Sequence, residues 1–301
     1  MNKECELVVI SLALALLHQA KDTLMRVCYK ASNVTNACIS QERVFRGETE
    51  SDSQALGYGK LIGKFLNNPS DRKRFRRNFQ YRMILEHVSY SQGCAYINRI
   101  AELGIVDFNQ IQALAKSDLV GSPRRYYYNK IGWVSPTLLR YASVYSEIEK
   151  FIGFKNIKSV VEIGIGYGGQ ARVIHDLAGI SNYTFYDLPD VQKLAEHFLK
   201  ETSKQLNPRK SDIHSVEREN FDLVISNYAI SELPADVQRE YLDKVMASAK
   251  HFYMIMNSGA SDVTRRSTGK LSQSDFVFSI PGVAVTLEIP STGPDNYVLI
   301  K

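Results

Sequence analysis

Several things are scarce in this chain, and each scarcity narrows the reading. Its 301 residues include one tryptophan and four cysteines. Cys5, Cys28, Cys38 and Cys94 are scattered, with no Cys-x-x-Cys pair and no zinc-ligand spacing. That argues against a disulfide framework and a structural zinc site, and reads as the reduced thiols of a cytoplasmic protein. The longest apolar run, Leu7–Leu17, falls short of the about 20 residues a bilayer span requires. Glu4 and Glu6 stand where a secretory signal is positive, and His18–Asp22 offers no small-residue cleavage site. The run is therefore expected to form a buried or self-associating helix, with no membrane span. The sequons at Asn33 and Asn182 would matter only in a secreted chain and are set aside. Charge of one sign is also in short supply: 37 Lys and Arg against 32 Asp and Glu leave a net +5. Such a balance permits an anionic substrate without calling for nucleic acid, and no nucleic-acid module accompanies it. No internal repeat is visible.

What is present organises itself around Ser159–Asp187. Ser159–Ile163 is a short β-branched run with the composition of a buried strand. Gly164, Gly166, Gly168 and Gly169 follow, where the backbone must turn tightly and a ligand can approach closely. Gln170–Leu177 carries Ala171, Ile174 and Leu177 at helical spacing, so free N–H groups at its start face the base of a cleft. Tyr183–Tyr186 reads as a second strand, and Asp187 at its carboxyl end is placed to accept hydrogen bonds from ribose hydroxyls. The literal pattern Gly164-x-Gly166-x-x-Gly169 matches a dinucleotide fingerprint and leaves a nicotinamide oxidoreductase open. No Tyr-x-x-x-Lys catalytic pair stands beside the right strand, and Glu162 sits where dinucleotide folds usually carry an apolar residue.

The rest of the chain reads in order as helix, cap and sheet. Residues 1–30 are expected to be one helix and 31–56 a polar linker, with a further helix starting near Asp71. Asp71–Arg82 interleaves six basic residues with Phe75, Phe79 and Tyr81; a solvated helix face with inward aromatics is preferred there to a phosphate-binding face. Met83–Leu103 and Phe108–Leu114 look helical, and Arg124–Tyr128 is extended, with Tyr127 able to line a cleft or simply pack. Ser135-Pro136 is a good helix start, and Arg140 lies on the helix that follows. A short strand is expected within Ser203–Val216, near His214. Phe221–Asn227 and Phe252–Met256 are strands, Ser258–Ser274 a polar loop, and Val283–Ile289 with Tyr297–Ile300 a closing hairpin. Ligands in open α/β sheets bind beyond the carboxyl ends of strands, which puts Asn227, Tyr228, Ser231 and Glu232 in reach of chemistry.

The motifs together resemble a known family. Asp118…Gly121-Ser-Pro123, Ser135-Pro-Thr-Leu-Leu-Arg-Tyr141, Val160–Gln170, Tyr186–Val191, Ser226–Leu233, Gln238–Tyr241 and Glu288–Asn296 are similar to the sugar O-methyltransferases of bacterial surface-polysaccharide gene clusters, over residues 70–301. Glu162-x-Gly164-x-Gly166-x-Gly168 is also the pattern of class I S-adenosylmethionine (SAM) methyltransferases. The resemblance implies an α/β, Rossmann-like, mostly parallel sheet ending in an antiparallel hairpin, with a helical cap at residues 1–134 and the SAM-binding domain at 135–301. It implies SAM as cofactor and a sugar, nucleotide sugar or lipid-linked glycan as acceptor. Gly164, Gly166 and Gly168 would admit the methionine part, Glu162 would orient its amine, Asp187 would hold the ribose and Asn227 would contact the methionine end. Glu232 is the first candidate base, with His214, His251 and Glu288 as alternatives, and Tyr127, Arg140 and Tyr228 would face the acceptor. No acid cluster has metal-ligand spacing, which leaves a divalent cation open, as it does a homo-oligomer.

Overall fold

The computed structural model describes residues 3–32, 57–203, 205–206, 208–257 and 269–301. The sequon at Asn33, Cys38, most of the expected linker, and Arg265 and Arg266 of the polar loop lie outside the described residues.

Strands β1 (Tyr126–Tyr128) and β2 (Gly132–Val134) form an antiparallel hairpin within the helical cap. The main sheet has seven strands: β3 (Val160–Ile163), β4 (Tyr183–Tyr186), β5 (Arg209–Ser211), β6 (Leu223–Asn227), β7 (His251–Met256), β8 (Ala284–Leu287) and β9 (Tyr297–Ile300). Their order is β5-β4-β3-β6-β7-β9-β8. Strands β3 to β7 pair in parallel, and β9 joins antiparallel between β7 and β8. The order reverses between β3 and β6, which makes their carboxyl ends the switch point where a crevice opens. The parallel sheet and its antiparallel ending are those the resemblance implies.

The central strands β3, β4, β6 and β7 are mostly apolar because both faces are covered, whereas the edge strands β5 and β8 are exposed. Val160, Leu223, Ile225, Tyr253 and Ile255 point to one core, which runs on into the cap through Tyr167, Phe75, Tyr81 and Phe65. Val161, Val224, Phe252 and Met254 point the other way, onto Tyr241, Val245, Met246 and Phe276. One residue of register thus decides which helix layer each side chain meets. Ser135 caps the helix Pro136–Phe151 by accepting the Leu138 N–H at 3.2 Å.

Four local expectations need correction. The Gly- and Asn-containing stretch before Asp71 holds a helix, Tyr58–Asn67, whose Tyr58, Leu61, Ile62 and Phe65 are buried; one apolar face outweighed two glycines. The expected helix from Met83 is broken: Phe79–Ile84 ends, residues 85–89 are irregular, and Tyr90–Leu103 begins with a Ser89–Gln92 capping box. The expected Ser258–Ser274 loop ends early, because Ser272 caps a helix at Gln273–Ser279. In the basic stretch the aromatics pack inward as expected, but Arg76 and Arg82 are buried too.

The N-terminal helix, Lys3–Ser32, departs furthest. It docks through the half-buried Leu14 and Ala15 and through polar groups. Ser11 accepts the Tyr127 N–H at 2.7 Å, His18 Nδ1 lies 3.0 Å from the Tyr126 hydroxyl, and Asp22 binds both Arg82 and Arg124. Val9, Ile10, Leu16, Leu17 and Leu24 face outward, so the helix is not the buried one expected. Counting past single polar residues, Glu4–Arg26 is long and apolar enough to cross a membrane by length and composition, at a mean hydropathy of 1.4.

Candidate functional site

The turn after β3 is where sequence constrains the site most directly. Gly164 has φ +83°, and a Cβ there would meet the Ala229 Cβ at 2.1 Å. Gly166 has φ +56° and donates its N–H to Asp187 Oδ2 at 3.0 Å. Asp187 Oδ1 accepts the Leu188 N–H at 2.8 Å, so the carboxylate is held at the end of β4 with lone pairs left to offer. Burial pushes this carboxyl up to about 6, against the lowering effect of those two backbone donors.

Above this turn lies a cleft of about 1560 Å³. Gly164, Gly166, Asp187, Asn227, Tyr228, Glu232, His214 and Arg140 all line it. The fold therefore brings eight of the thirteen candidate residues to one place. Glu162, Gly168 and Tyr127 are not on its wall. Glu162 is buried beneath the turn and accepts the Tyr183 hydroxyl at 2.6 Å; desolvation, partly offset by that bond, pushes its carboxyl up to about 8. Gly168 packs against the Leu199 side chain as the cap of the helix Gly169–Ala178. Tyr127 sits on the cap hairpin against Trp133, with ring centroids 6.1 Å apart.

Each remaining side chain has a structural reason for its position. His214 is 2.9 Å from Glu240 and largely exposed. His251 lies at the start of β7, away from the strand ends that form the cleft, with Nδ1 3.2 Å from the Lys301 carbonyl. Asn227 ends β6, and its Oδ1 is buried with no donor among the described residues. Tyr228 has φ +70°, a conformation costly for a bulky residue, of order 1–3 kcal/mol, and typical of functional sites. Its hydroxyl donates to Glu288 and lies 3.1 Å from Thr292 Oγ1. Glu288 also accepts the Thr292 N–H at 2.9 Å and Asn296 Nδ2 at 3.1 Å. Glu288, an alternative base by sequence, thus acts as a clamp behind the wall.

Sequence reasoning missed His87. It lies in the irregular stretch after Ile84 and lines both the cleft and a second cavity of about 390 Å³ under the N-terminal helix. The side chain is open to these cavities but closely surrounded by protein, and that desolvation together with the Arg140 charge lowers its pKa to about 4. A histidine inside an apparent helix carries no sequence signal; the helix break that exposes it is tertiary.

These observations define an α/β fold with a mostly parallel seven-stranded sheet and a cleft at its switch point. The comparisons with known proteins add the following. An O-methyltransferase family protein from Burkholderia thailandensis is similar over 55% of this chain and 56% of its own, at 14% identity and a TM-score of 0.40. The protein PigF, solved with SAH, is similar over 55% of this chain and 62% of its own, at 12% identity and a TM-score of 0.40. Thermoplasma acidophilum 1320 covers 64% of this chain and 94% of its own, at 19% identity and a TM-score of 0.38. The chain spans just over half the length of the Burkholderia protein. No family model matches the chain, and no curated protein matches its sequence. The fold assignment rests on the strand order.

Proposed function

We propose that this protein is a SAM-dependent O-methyltransferase whose acceptor is a hydroxyl of a sugar or glycan intermediate. The observation that carries the reading is the cradle at the switch point: two positive-φ glycines, the carboxylate of Asp187 and the unsatisfied Asn227 Oδ1 line one cleft. These residues fit the cofactor. Gly164 and Gly166 admit its methionine part, Asp187 accepts from ribose hydroxyls, and Asn227 accepts from the methionine end. SAM, when bound, supplies an electrophilic methyl group on a sulfonium.

The protein aligns an acceptor oxygen with that carbon, and alignment can lower the barrier by up to about 7–11 kcal/mol. With SAM held by Gly164, Gly166, Asp187 and Asn227, the cofactor would supply the methyl group to the acceptor oxygen, and a residue of the cleft would take the hydroxyl proton. Glu232 and His87 both reach the cleft for that role. A base in place contributes about 10²–10⁴-fold. The larger loss of kcat, between Glu232→Gln and His87→Gln, identifies it.

Calorimetric titration with S-adenosylhomocysteine, alongside NAD and NADP, tests the cofactor. Micromolar binding of S-adenosylhomocysteine alone supports the reading, and binding of a dinucleotide alone removes it. Asp187→Asn is expected to weaken binding about tenfold or more. Hydroxyl donors favour the ionised carboxylate, so wild-type affinity should rise as pH passes upward through about 6.

A further inference from the structure

We propose that Arg140 is an anion receptor, and that the molecule accepting the methyl group carries a carboxylate or a phosphate that docks on its guanidinium. That the anion belongs to the acceptor rests on the methyl-transfer reading; the anion site itself does not.

Arg140 lies on the helix Pro136–Phe151, is 5% exposed, and lines the cleft. Among the described residues no carboxylate forms an ion pair with it. Its close neighbours are neutral tyrosines: the Tyr141 hydroxyl lies within hydrogen-bonding reach, and the guanidinium carbon is 5.3 Å from the Tyr141 ring centroid and 5.9 Å from that of Tyr228. Glu288, the acid behind this wall, is already engaged by Tyr228, Thr292 and Asn296. A cation removed from water normally keeps a counterion, because burial without one is costly. This one is left with its charge turned to the cleft.

The surroundings suit an anion. His87 lines the same wall, and Thr292 and Asn296 lie in the same cleft. The strained backbone of Tyr228 holds its ring against the guanidinium, which limits how the fork can turn. A planar guanidinium held this way matches the paired oxygens of a carboxylate or phosphate. The cleft, at about 1560 Å³, also exceeds the roughly 300–1,000 Å³ of a pocket built for one small ligand, which leaves room for an acceptor beside the cofactor.

The test is calorimetry on the full chain with inorganic phosphate and D-glucuronate, and with D-glucose as the neutral control. Each is titrated with and without saturating S-adenosylhomocysteine. At least one anion is expected to bind the wild type with millimolar affinity and about tenfold tighter than glucose. Arg140→Met should lose that preference, Arg140→Lys should retain part of it, and both should melt cooperatively at or above the wild-type temperature. Preference for phosphate identifies a phosphorylated acceptor; preference for glucuronate identifies an acidic sugar. Anion binding unchanged in Arg140→Met, or no anion binding up to about 50 mM, overturns the proposal. Arg140-dependent anion binding without S-adenosylhomocysteine binding would keep the anion site and remove the methyl-transfer reading. The reverse result would keep that reading and remove the anion site.

Discussion

Two buried guanidiniums in this molecule sit in opposite electrostatic situations. In the cap, Arg76 is 1% exposed and fully engaged. It donates to Glu86, to Asp118 Oδ1 at 2.9 Å and to Ser135 Oγ at 3.1 Å, and lies over the Tyr167 ring at 4.6 Å. Asp118 in turn accepts the Ser135 N–H and hydroxyl, so the cluster ties the cap to the start of the helix Pro136–Phe151 and to the glycine turn. Along that helix, Arg140 is buried to nearly the same extent, but among the described residues it has tyrosines and no carboxylate for company. Burial alone therefore does not separate a structural arginine from a functional one. What differs between these two is the number of acids within reach among the described residues.

The comparison can be broken experimentally. Arg76→Met leaves Glu86 and Asp118 buried without their cation and should cost about 3–5 kcal/mol, read as a lower midpoint in urea unfolding. The same substitution at Arg140 should act in the opposite direction, leaving stability unchanged or raising it by about 1–4 kcal/mol in the ligand-free protein. A loss at Arg140 as large as that at Arg76 would mean that an acid does serve it, and the contrast would fail. A third case falls between these two. Asp22 joins the N-terminal helix to Arg82 and Arg124 at a half-buried site. Asp22→Asn should cost only about 1 kcal/mol and be seen mainly as faster proteolysis of that helix. Burial alone would raise the Asp22 carboxyl, but the hydrogen bonds from Arg82 and Arg124 outweigh it and hold the group below 3.8. Its contribution is therefore present above pH 3.8 and is lost as pH falls from there through the lowered value, so helix docking should weaken only in acid.

Much of the sheet was legible in the sequence because its signals are local. Tyr183–Tyr186 and Phe108–Leu114 match the structure to the residue, since β-branched and aromatic runs and a capping aspartate need no distant partner to be read. The cap was harder. Tyr58–Asn67 has two glycines that mask its apolar face, and the break at residues 85–89 comes from how the cap meets the glycine turn: Leu85 packs 3.3 Å from where a Gly166 Cβ would be. Glu162 shows the limit of motif reading. Its place beside the glycines is right, but β3 turns its side chain beneath the cleft, and a one-residue difference in a strand reverses the face. For the N-terminal helix only the buried alternative fails: most of its large apolar residues face outward, and Ser11, His18 and Asp22, with Leu14 and Ala15, do the docking.

The sequence by itself determined the alternation of strands and helices, the positive-φ turn at Gly164 and Gly166, and the acid at the end of β4. Those follow from backbone sterics and short-range periodicity, which act over a few residues. Only the tertiary structure decided which charges meet. Arg76 found two acids from segments 10 and 42 residues away, while Arg140 found none among the described residues, and His87 came to rest between two cavities. Electrostatic pairing depends on distance in space and on burial, and neither is written in the spacing of residues along the chain.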